Sequence, residues 1–255
     1  MNERVEILGV KVDAVTMIQA VERVENLICA GKPSIVATAN AEMLLNATHD
    51  AELKKILNAA DLVVPDGAGT VWAARHLGKQ MPERVAGFDL VQELMKIAPA
   101  RDIKFFLFGA APGIADKAKS KAESLYPGIK IVGTRNGYFK SADEPEIISQ
   151  IKNSRADVLL AALGVPKQEK WIMKYKDELQ IPVSIGVGGT FDVMAGIVKR
   201  APLWMQKARL EWLFRAMLQP SRAGRLLALP KFVWNVHKQK IGKQGNKDQR
   251  SSCHR

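Results

Sequence analysis

The stretch Lys104-Phe105-Phe106-Leu107-Phe108-Gly109-Ala110-Ala111-Pro112-Gly113 carries an apolar run into a glycine-containing loop, and a helical pattern follows to about Tyr126. A short apolar run that leads through a loop into a helix is typical of one β-α step of a parallel sheet. The same order recurs along the chain. The predicted strands are Val5–Val12, Ser34–Ala37, Leu62–Val64, Lys104–Phe108, Ile129–Val132, Val158–Leu163 and Val183–Gly186. The sequence therefore predicts an α/β fold whose mainly parallel sheet has helices on both faces.

Charge divides the chain into two parts. The net charge is +12, and residues 199–255 carry all of it, with 14 Lys/Arg against two Asp/Glu. Three of the five tryptophans lie in the same segment, among Leu, Phe and Met. Basic residues interleaved with bulky apolar ones are typical of a segment that lies on an anionic membrane surface. We therefore predict an α/β core, a helical, basic, membrane-facing appendage and a disordered tail, over residues 1–198, 199–241 and 242–255.

The appendage has its own internal pattern. A helix is predicted from Pro202 to Leu218, and Ser221 is a candidate N-cap for the helix that follows. This second helix has an apolar stripe and a predicted kink at Pro230. Because an apolar stripe can also pack against a second copy of the chain, the sequence leaves a homo-oligomer open.

The sequence lacks the motifs of several classes of protein, and we do not expect the chain to belong to those classes. No run of 18 apolar residues and no apolar core of a secretory signal occur, so we expect neither a membrane span nor secretion. Cys29 and Cys253 predict no disulfide framework and a reducing compartment. The chain has no Asp-x-Asp pair, no phosphate loop, no dinucleotide glycine fingerprint and no metal-ligand spacing. We therefore expect chemistry without a metal or cofactor, and not that of a nucleotide-dependent oxidoreductase.

Polar residues stand directly after several predicted strands. In an open parallel sheet, ligands bind at the carboxyl ends of the strands. The residues at these positions are Thr38, Asn40, Asp66, Gly109–Gly113, Gln168, Glu169 and Gly188–Asp192. Their clustering predicts a small-molecule site.

Two of these positions could take part in proton transfer or in binding a diphosphate, and each could instead have a purely structural role. Asp66 could act as a general base, or it could be the N-cap of a helix over Ala68–His76. The backbone N–H groups of Gly109–Gly113 could bind a diphosphate at a helix N-terminus, or the loop could be a tight turn.

The uncharged and remaining acidic candidates are ambiguous in the same way. Thr38 and Asn40 suit either sugar hydroxyls or helix capping. Tyr138, in a glycine-containing loop, suits either stacking on a base or packing. Asp192 suits either a ribose or the cap of a turn.

Three arginines of the appendage, Arg215, Arg222 and Arg225, lie beside its apolar residues. The planar guanidinium matches phosphate oxygens, so the three could hold a lipid-linked diphosphate. They could also form a solvated basic face. Nucleic acid is a poorer partner for this segment, because phosphate contacts need no apolar stripe.

In combination, the motifs resemble the WecG/TagA/CpsF glycosyltransferases (glycosyltransferase family 26), and most closely their TagA-like branch. The matching stretches, in family order, are Thr38–Glu42, Pro65–Gly69, Arg84–Leu90, Leu107–Gly113, Gly164–Trp171, Gly186–Asp192, Arg200–Pro202 and Leu210–Arg215. Each stretch is short, but their joint occurrence is specific.

The resemblance implies a Rossmann-like, inverting, metal-independent hexosyltransferase that is peripheral on the cytoplasmic face of the bacterial plasma membrane. In the TagA-like branch, N-acetylmannosamine passes from its UDP donor to the 4-hydroxyl of N-acetylglucosaminyl-diphospho-undecaprenol. The product has a β-1,4 link, and the step is an early one in wall teichoic acid synthesis. Other branches use uronic acid donors such as N-acetylmannosaminuronic acid or glucuronic acid, for which Arg84 or Lys167 could supply a cation.

The resemblance also implies roles for the candidate residues. Asp66 is expected to deprotonate the acceptor hydroxyl, with Thr38 as the second catalytic residue. The expected substrate-binding residues are Asn40, Arg84, Gly109, Gly113, Tyr138, Gln168, Asp192, Arg215, Arg222 and Arg225. The appendage is expected to complete the site at the membrane.

Overall fold

The computed structural model describes residues 3–202, 204, 205, 214 and 228–252, with side chains described as far as residue 242. Its first half contains β1 Arg4–Ile7, β2 Val10–Asp13, α1 Met17–Ala30, β3 Ser34–Ala39, α2 Ala41–Asn46, α3 Ala51–Ala59, β4 Leu62–Pro65, α4 Ala68–His76 and α5 Gly87–Arg101. Its second half contains β5 Lys104–Gly109, α6 Ile114–Leu125, β6 Lys130–Arg135, α7 Glu144–Asn153, β7 Val158–Ala162, α8 Lys167–Leu179, β8 Val183–Gly186, α9 Thr190–Met194 and α10 Ala228–Ser252.

The predicted parallel sheet is confirmed. Within the described residues, six strands form one sheet in the order β4-β3-β8-β7-β5-β6, and every neighbouring pair is parallel. In β5, Phe106 and Phe108 face the core shared with α2, α3, α7 and α8, whereas Phe105 and Leu107 face the core shared with α1, α5 and α6. The strands are continuous apolar runs because both faces of the sheet are covered.

The N-terminal residues differ from the prediction of one strand over Val5–Val12. They form an antiparallel hairpin, β1 and β2, whose two-residue turn has φ values of 51° at Leu8 and 80° at Gly9. Two positive φ values fit the tight turn that a two-residue hairpin requires. Leucine is unusual in such a turn, so the continuous apolar run over these residues does not indicate one. The hairpin lies beside β4, where Asp13 accepts a 2.8 Å hydrogen bond from the Val63 N–H.

Helix α10 packs on the core. Phe232 and Val236 are buried against α2 and α4. Pro230 is the third residue of the described part of this helix, and residues 221–227 lie outside the described residues, so the kink stays a prediction. The helix continues past Ile241 to Ser252, through residues for which a disordered tail is predicted.

The predicted N-cap Ser221 and most of the predicted helix from Pro202 to Leu218 lie outside the described residues. Among the helices that are described, none is long and apolar enough to cross a membrane.

Candidate active site

A cleft of about 410 Å³ opens where β3, β4, β5, β7 and β8 end. It is lined by Thr38, Asn40, Glu42, Met43, Asp66, Ala110, Ala111, Gly137, Tyr138, Ala162, Leu163, Gly164, Val165, Gln168, Val187, Gly188, Gly189 and Asp192. The structure therefore brings together six of the predicted site residues from five separate loops. A concave site of this size at the carboxyl edge of a parallel sheet is typical of small-molecule binding.

Asp66 lies where β4 ends and before α4 begins. The N-cap position of α4 is Gly67, at φ 92°, and Asp66 is the residue before it. The backbone N–H of Asp66 donates to the Ala39 carbonyl at 3.0 Å. Thr70 Oγ1 donates to the carbonyls of Ala39 and Asp66, at 2.9 and 3.2 Å. These bonds fix the turn that holds the Asp66 carboxylate in the cleft wall.

Thr38 and Asn40 flank the end of β3. The hydroxyl of Thr38, a buried residue, donates to the Gly186 carbonyl at 3.1 Å. Its methyl group packs closely on α5, since a Cβ added at Gly87 would lie 2.8 Å from it. Asn40 is the N-cap of α2, with Oδ1 accepting from the Met43 N–H at 2.9 Å, so the capping alternative is realised at this residue. Both residues nevertheless line the cleft.

The glycine loop after β5 lies close to β7. Gly109 has φ 127°, and a Cβ there would lie 2.4 Å from the Ala162 carbonyl oxygen, so only glycine fits. Gly113, at φ 78°, is the N-cap of α6. Ala110 and Ala111 line the cleft, whereas Gly109 and Gly113 shape the loop behind them. The tight-turn alternative is therefore realised at the two glycines.

Gln168 and Glu169 begin α8 and are buried, with 1% and 2% of their surface exposed. Gln168 Oε1 accepts from the backbone N–H groups of Gly164 and Gly188, at 3.2 and 3.1 Å. Its Nε2 donates to Glu169 Oε1 at 2.7 Å. Burial raises the pKa of the Glu169 carboxyl to about 7, and the hydrogen bond from Gln168 offsets only part of that rise.

Of the remaining predicted residues, Tyr138 and Asp192 line the cleft and Arg84 does not. Tyr138 is 73% exposed at the rim of the cleft. Asp192 lines the cleft, and its carbonyl accepts from the backbone N–H groups of Ile197 and Val198. Arg84 is not among the residues that line the cleft; it lies 3.8 Å from Asp89, which also holds Arg200 through two contacts of 2.7 and 2.8 Å.

The charged side chains in the described lining of the cleft are all acidic. Its described lining contains the carboxylates Glu42, Asp66 and Asp192 but neither lysine nor arginine. A diphosphate bound here needs positive charge from helix N-termini or from another part of the chain. The three predicted arginines, Arg215, Arg222 and Arg225, lie outside the described residues.

The choice of candidates from the sequence omitted some cleft residues. Glu42, Gly137 and Val165 line the cleft. Two of them could have been found, since Glu42 ends the matching stretch that begins at Thr38 and Val165 belongs to the stretch that contains Gln168.

The fold and the cleft define a class: an α/β protein with a polar small-molecule site, and a carboxylate in it, at the carboxyl edge of its sheet. The sequence model of the Glycosyl transferase WecG/TagA/CpsF family matches residues 5–246. The chain belongs to this family, which confirms the resemblance seen in its motifs.

Two similar proteins have the same name, N-acetylglucosaminyldiphosphoundecaprenol N-acetyl-beta-D-mannosaminyltransferase. The one from Bacillus subtilis (strain 168) is 37% identical over 211 residues, which cover 83% of this chain and 82% of the relative. The one from Staphylococcus aureus (strain NCTC 8325 / PS 47) is 34% identical over 239 residues, which cover 93% of each chain.

Proposed function

We propose that this protein transfers N-acetylmannosamine from UDP-N-acetylmannosamine to the 4-hydroxyl of N-acetylglucosaminyl-diphospho-undecaprenol, as an early step of wall teichoic acid synthesis. The observation that carries the proposal is the position of Asp66, in the wall of the cleft at the end of β4. The names of the two relatives supply the substrates, and their similarity extends over more than four fifths of the chain.

In the proposed reaction, the Asp66 carboxylate takes the proton of the acceptor 4-hydroxyl. The hydroxyl oxygen forms a bond to the anomeric carbon of the donor sugar, and the bond from that carbon to the UDP oxygen breaks with its electrons going to UDP. Attack on the face opposite UDP inverts the anomeric centre and yields the β-1,4 link. Thr38, Asn40 and Gln168 lie in the same cleft, where their polar groups can orient the two sugars.

The departing UDP carries negative charge that the described cleft lining does not neutralise. We assign this task to backbone N–H groups at helix N-termini and to Arg215, Arg222 and Arg225 of the appendage, without a metal ion. The packing of α10 supports a role for the appendage, because α10 contacts α2, which Asn40 caps, and α4, which follows Asp66. Helix α10, which follows the arginine segment in the sequence, thus packs on the two helices that begin beside Asn40 and Asp66.

The same helix supports a peripheral position on the inner face of the membrane. Val233, Trp234 and Ile241 are 44%, 59% and 56% exposed on α10, while Phe232 and Val236 are buried. The exposed Lys238 lies with its Nζ 5.3 Å from the centre of the Trp234 ring. Apolar and cationic side chains on one exposed surface suit an anionic bilayer that also contains the lipid-linked acceptor. A homo-oligomer stays a prediction.

A neutral donor sugar is favoured over a uronic acid by the place of two cations. Arg84 pairs with Asp89 outside the cleft lining, and Lys167 has its Nζ 4.5 Å from the Phe139 ring centre. Neither is among the residues that line the cleft, whose described charges are all negative. Among the described residues that line the cleft, no cation is therefore placed to pair with a carboxylate on the donor sugar.

The test is release of UDP by the purified full-length protein. UDP-N-acetylmannosamine is supplied with and without a short-chain N-acetylglucosaminyl-diphospho-lipid, in EDTA, beside a UDP-N-acetylmannosaminuronic acid reaction. We expect acceptor-dependent release from the neutral donor that persists in EDTA. Release only from the uronic acid donor would contradict the proposed substrate, and loss of activity in EDTA would contradict the metal-free mechanism. No release from either donor would contradict the transferase itself.

A further inference from the structure

Gln168 joins two loops of the cleft through a single oxygen. Its Oε1 accepts from the N–H of Gly164, in the loop between β7 and α8, and from the N–H of Gly188, in the loop between β8 and α9. Because both partners are donors, the atom between them must be the amide oxygen, and the NH₂ group must point the other way. The orientation of the amide is therefore determined by the backbone on one side and by its partner on the other.

That partner is Glu169, whose carboxyl is buried. Its Oε1 accepts from Gln168 Nε2 at 2.7 Å, and its Oε2 is buried without a hydrogen-bond partner among the described residues. A buried carboxyl with one oxygen left unpaired costs free energy relative to an apolar side chain of similar size. Stability therefore does not explain a glutamate at this position, whereas the orientation of Gln168 does.

Gly186 provides the space for the pair. A Cβ added to Gly186 would lie 2.6 Å from Gln168 Nε2 and 2.8 Å from Glu169 Oε1. The carbonyl of the same glycine accepts from the Thr38 hydroxyl. The amide of Gln168 is thus held against the strand β8 that also positions Thr38.

We propose that Glu169 is a positioning residue of the transferase: its carboxyl orients the Gln168 amide, which joins the two loops and presents its second N–H to an oxygen of the UDP-sugar. Among the described residues, the recorded side-chain hydrogen bond of Nε2 is the one to Glu169 Oε1, which uses one of its two hydrogens. The inference rests on the proposed function, because it names the UDP-sugar as the ligand that Gln168 contacts.

The test is a double-mutant cycle on kcat/KM for UDP-N-acetylmannosamine in the full-length protein. Glu169→Leu is expected to lower kcat/KM about tenfold, the size of one lost oriented hydrogen bond. Glu169→Gln keeps an acceptor oxygen and is expected to stay within about threefold of the wild type. In a Gln168→Leu background, Glu169→Leu should have no further effect, because the residue acts through Gln168.

Two further variants keep the test decisive. Asp13→Asn alters another buried carboxylate, far from the cleft on β2, and should lower the melting temperature without changing kcat/KM. If Glu169→Leu does not fold, Gly186→Ala displaces the pair from below and should lower kcat/KM to a similar extent. Effects of Glu169→Leu and Gln168→Leu that multiply, or a Glu169→Gln variant as impaired as Glu169→Leu, would overturn the inference.

Failure of the proposed function can be recognised separately. A wild type that releases no UDP contradicts the transferase. The same cycle is then read as the calorimetric affinity for UDP-N-acetylmannosamine, with the same expected pattern. A folded wild type that does not bind this donor overturns both.

Discussion

Nε2 of His76 lies 3.3 Å from Nδ1 of His237, and this contact joins the end of α4 to α10. Trp72 stacks on His76, with 5.0 Å between the ring centres. Since α4 begins directly after the Asp66–Gly67 turn, the contact connects α10, which we propose to face the membrane, to the helix that follows the proposed base. Docking of α10 and the geometry of Asp66 are therefore physically linked.

The docking of α10 should weaken in acid. Partial burial and the nearby charges of Lys240 and His237 lower the pKa of His76 below its usual 6.5. A histidine whose pKa is lowered in the folded state contributes stability above pH 6.5 and loses it as pH falls, because the folded state binds fewer protons. We expect faster amide exchange in α10, relative to α5, at pH 5.5 than at pH 7.5. The His76→Gln variant should lose this pH dependence, and its persistence in the variant would contradict the assignment.

Replacing the proposed base should remove transfer while leaving donor binding. Asp66→Asn keeps the size of the side chain but cannot take the proton of the acceptor hydroxyl, so kcat should fall about 10²- to 10⁴-fold. The affinity for UDP-N-acetylmannosamine, measured by calorimetry, should change little. Asp177→Asn, at an exposed carboxylate of α8, is the control for the change of charge. An Asp66→Asn variant with near-normal kcat would rule out this base.

The two faces of α10 should separate stability from membrane binding. Phe232→Ala removes a ring that is 1% exposed, and this should destabilise the docked helix by about 3 to 5 kcal/mol. Trp234→Ala, two residues away and 59% exposed, should change stability by less than about 0.5 kcal/mol. Amide exchange of α10 measures the first effect, and sedimentation with anionic vesicles should show weakened binding for Trp234→Ala. Equal vesicle binding by Trp234→Ala and wild type would contradict a membrane role for this face.

Glu169 should give the protein a pH-dependent stability. Its pKa is about 7 in the folded state against 4.5 in the unfolded chain, so its favourable contribution is present below pH 4.5 and is lost as pH rises through 7. A difference of this size corresponds to about 3 kcal/mol. We therefore expect urea denaturation to show that Glu169→Gln gains stability over the wild type between pH 5 and pH 8. A constant difference across that range would show that Glu169 does not titrate as described.

The sheet could be predicted because its strands are buried on both faces, which gives short apolar runs such as Lys104–Phe108. The carboxyl-end rule then placed Thr38, Asp66 and Gln168 at one edge, where the structure also has them. The turn at Leu8 was missed, because nothing in that side chain signals a positive φ.

The positions of two charged residues could not be predicted from the sequence around them. Arg84 has the chemistry of a ligand for an acidic sugar, but Asp89 and the packing of α5 determine where it lies. Glu169 follows a lysine and a glutamine at the start of a helix and would be expected on its surface. Its burial depends on Gly186, a residue of another strand, so only the folded chain reveals it.

The hydrogen bond from the Leu8 N–H to Gln239 Oε1, at 2.8 Å, joins residues 231 positions apart, and Gln239 Nε2 returns a bond to the Glu6 carbonyl. During synthesis the hairpin leaves the ribosome before the sheet does, and α10 can reach it only after the whole sheet has been made. The order of synthesis thus delays the docking of the basic, tryptophan-bearing helix until the core exists to receive it. A chain that stalls before α10 therefore has a sheet but lacks the helix that we propose to bind the membrane.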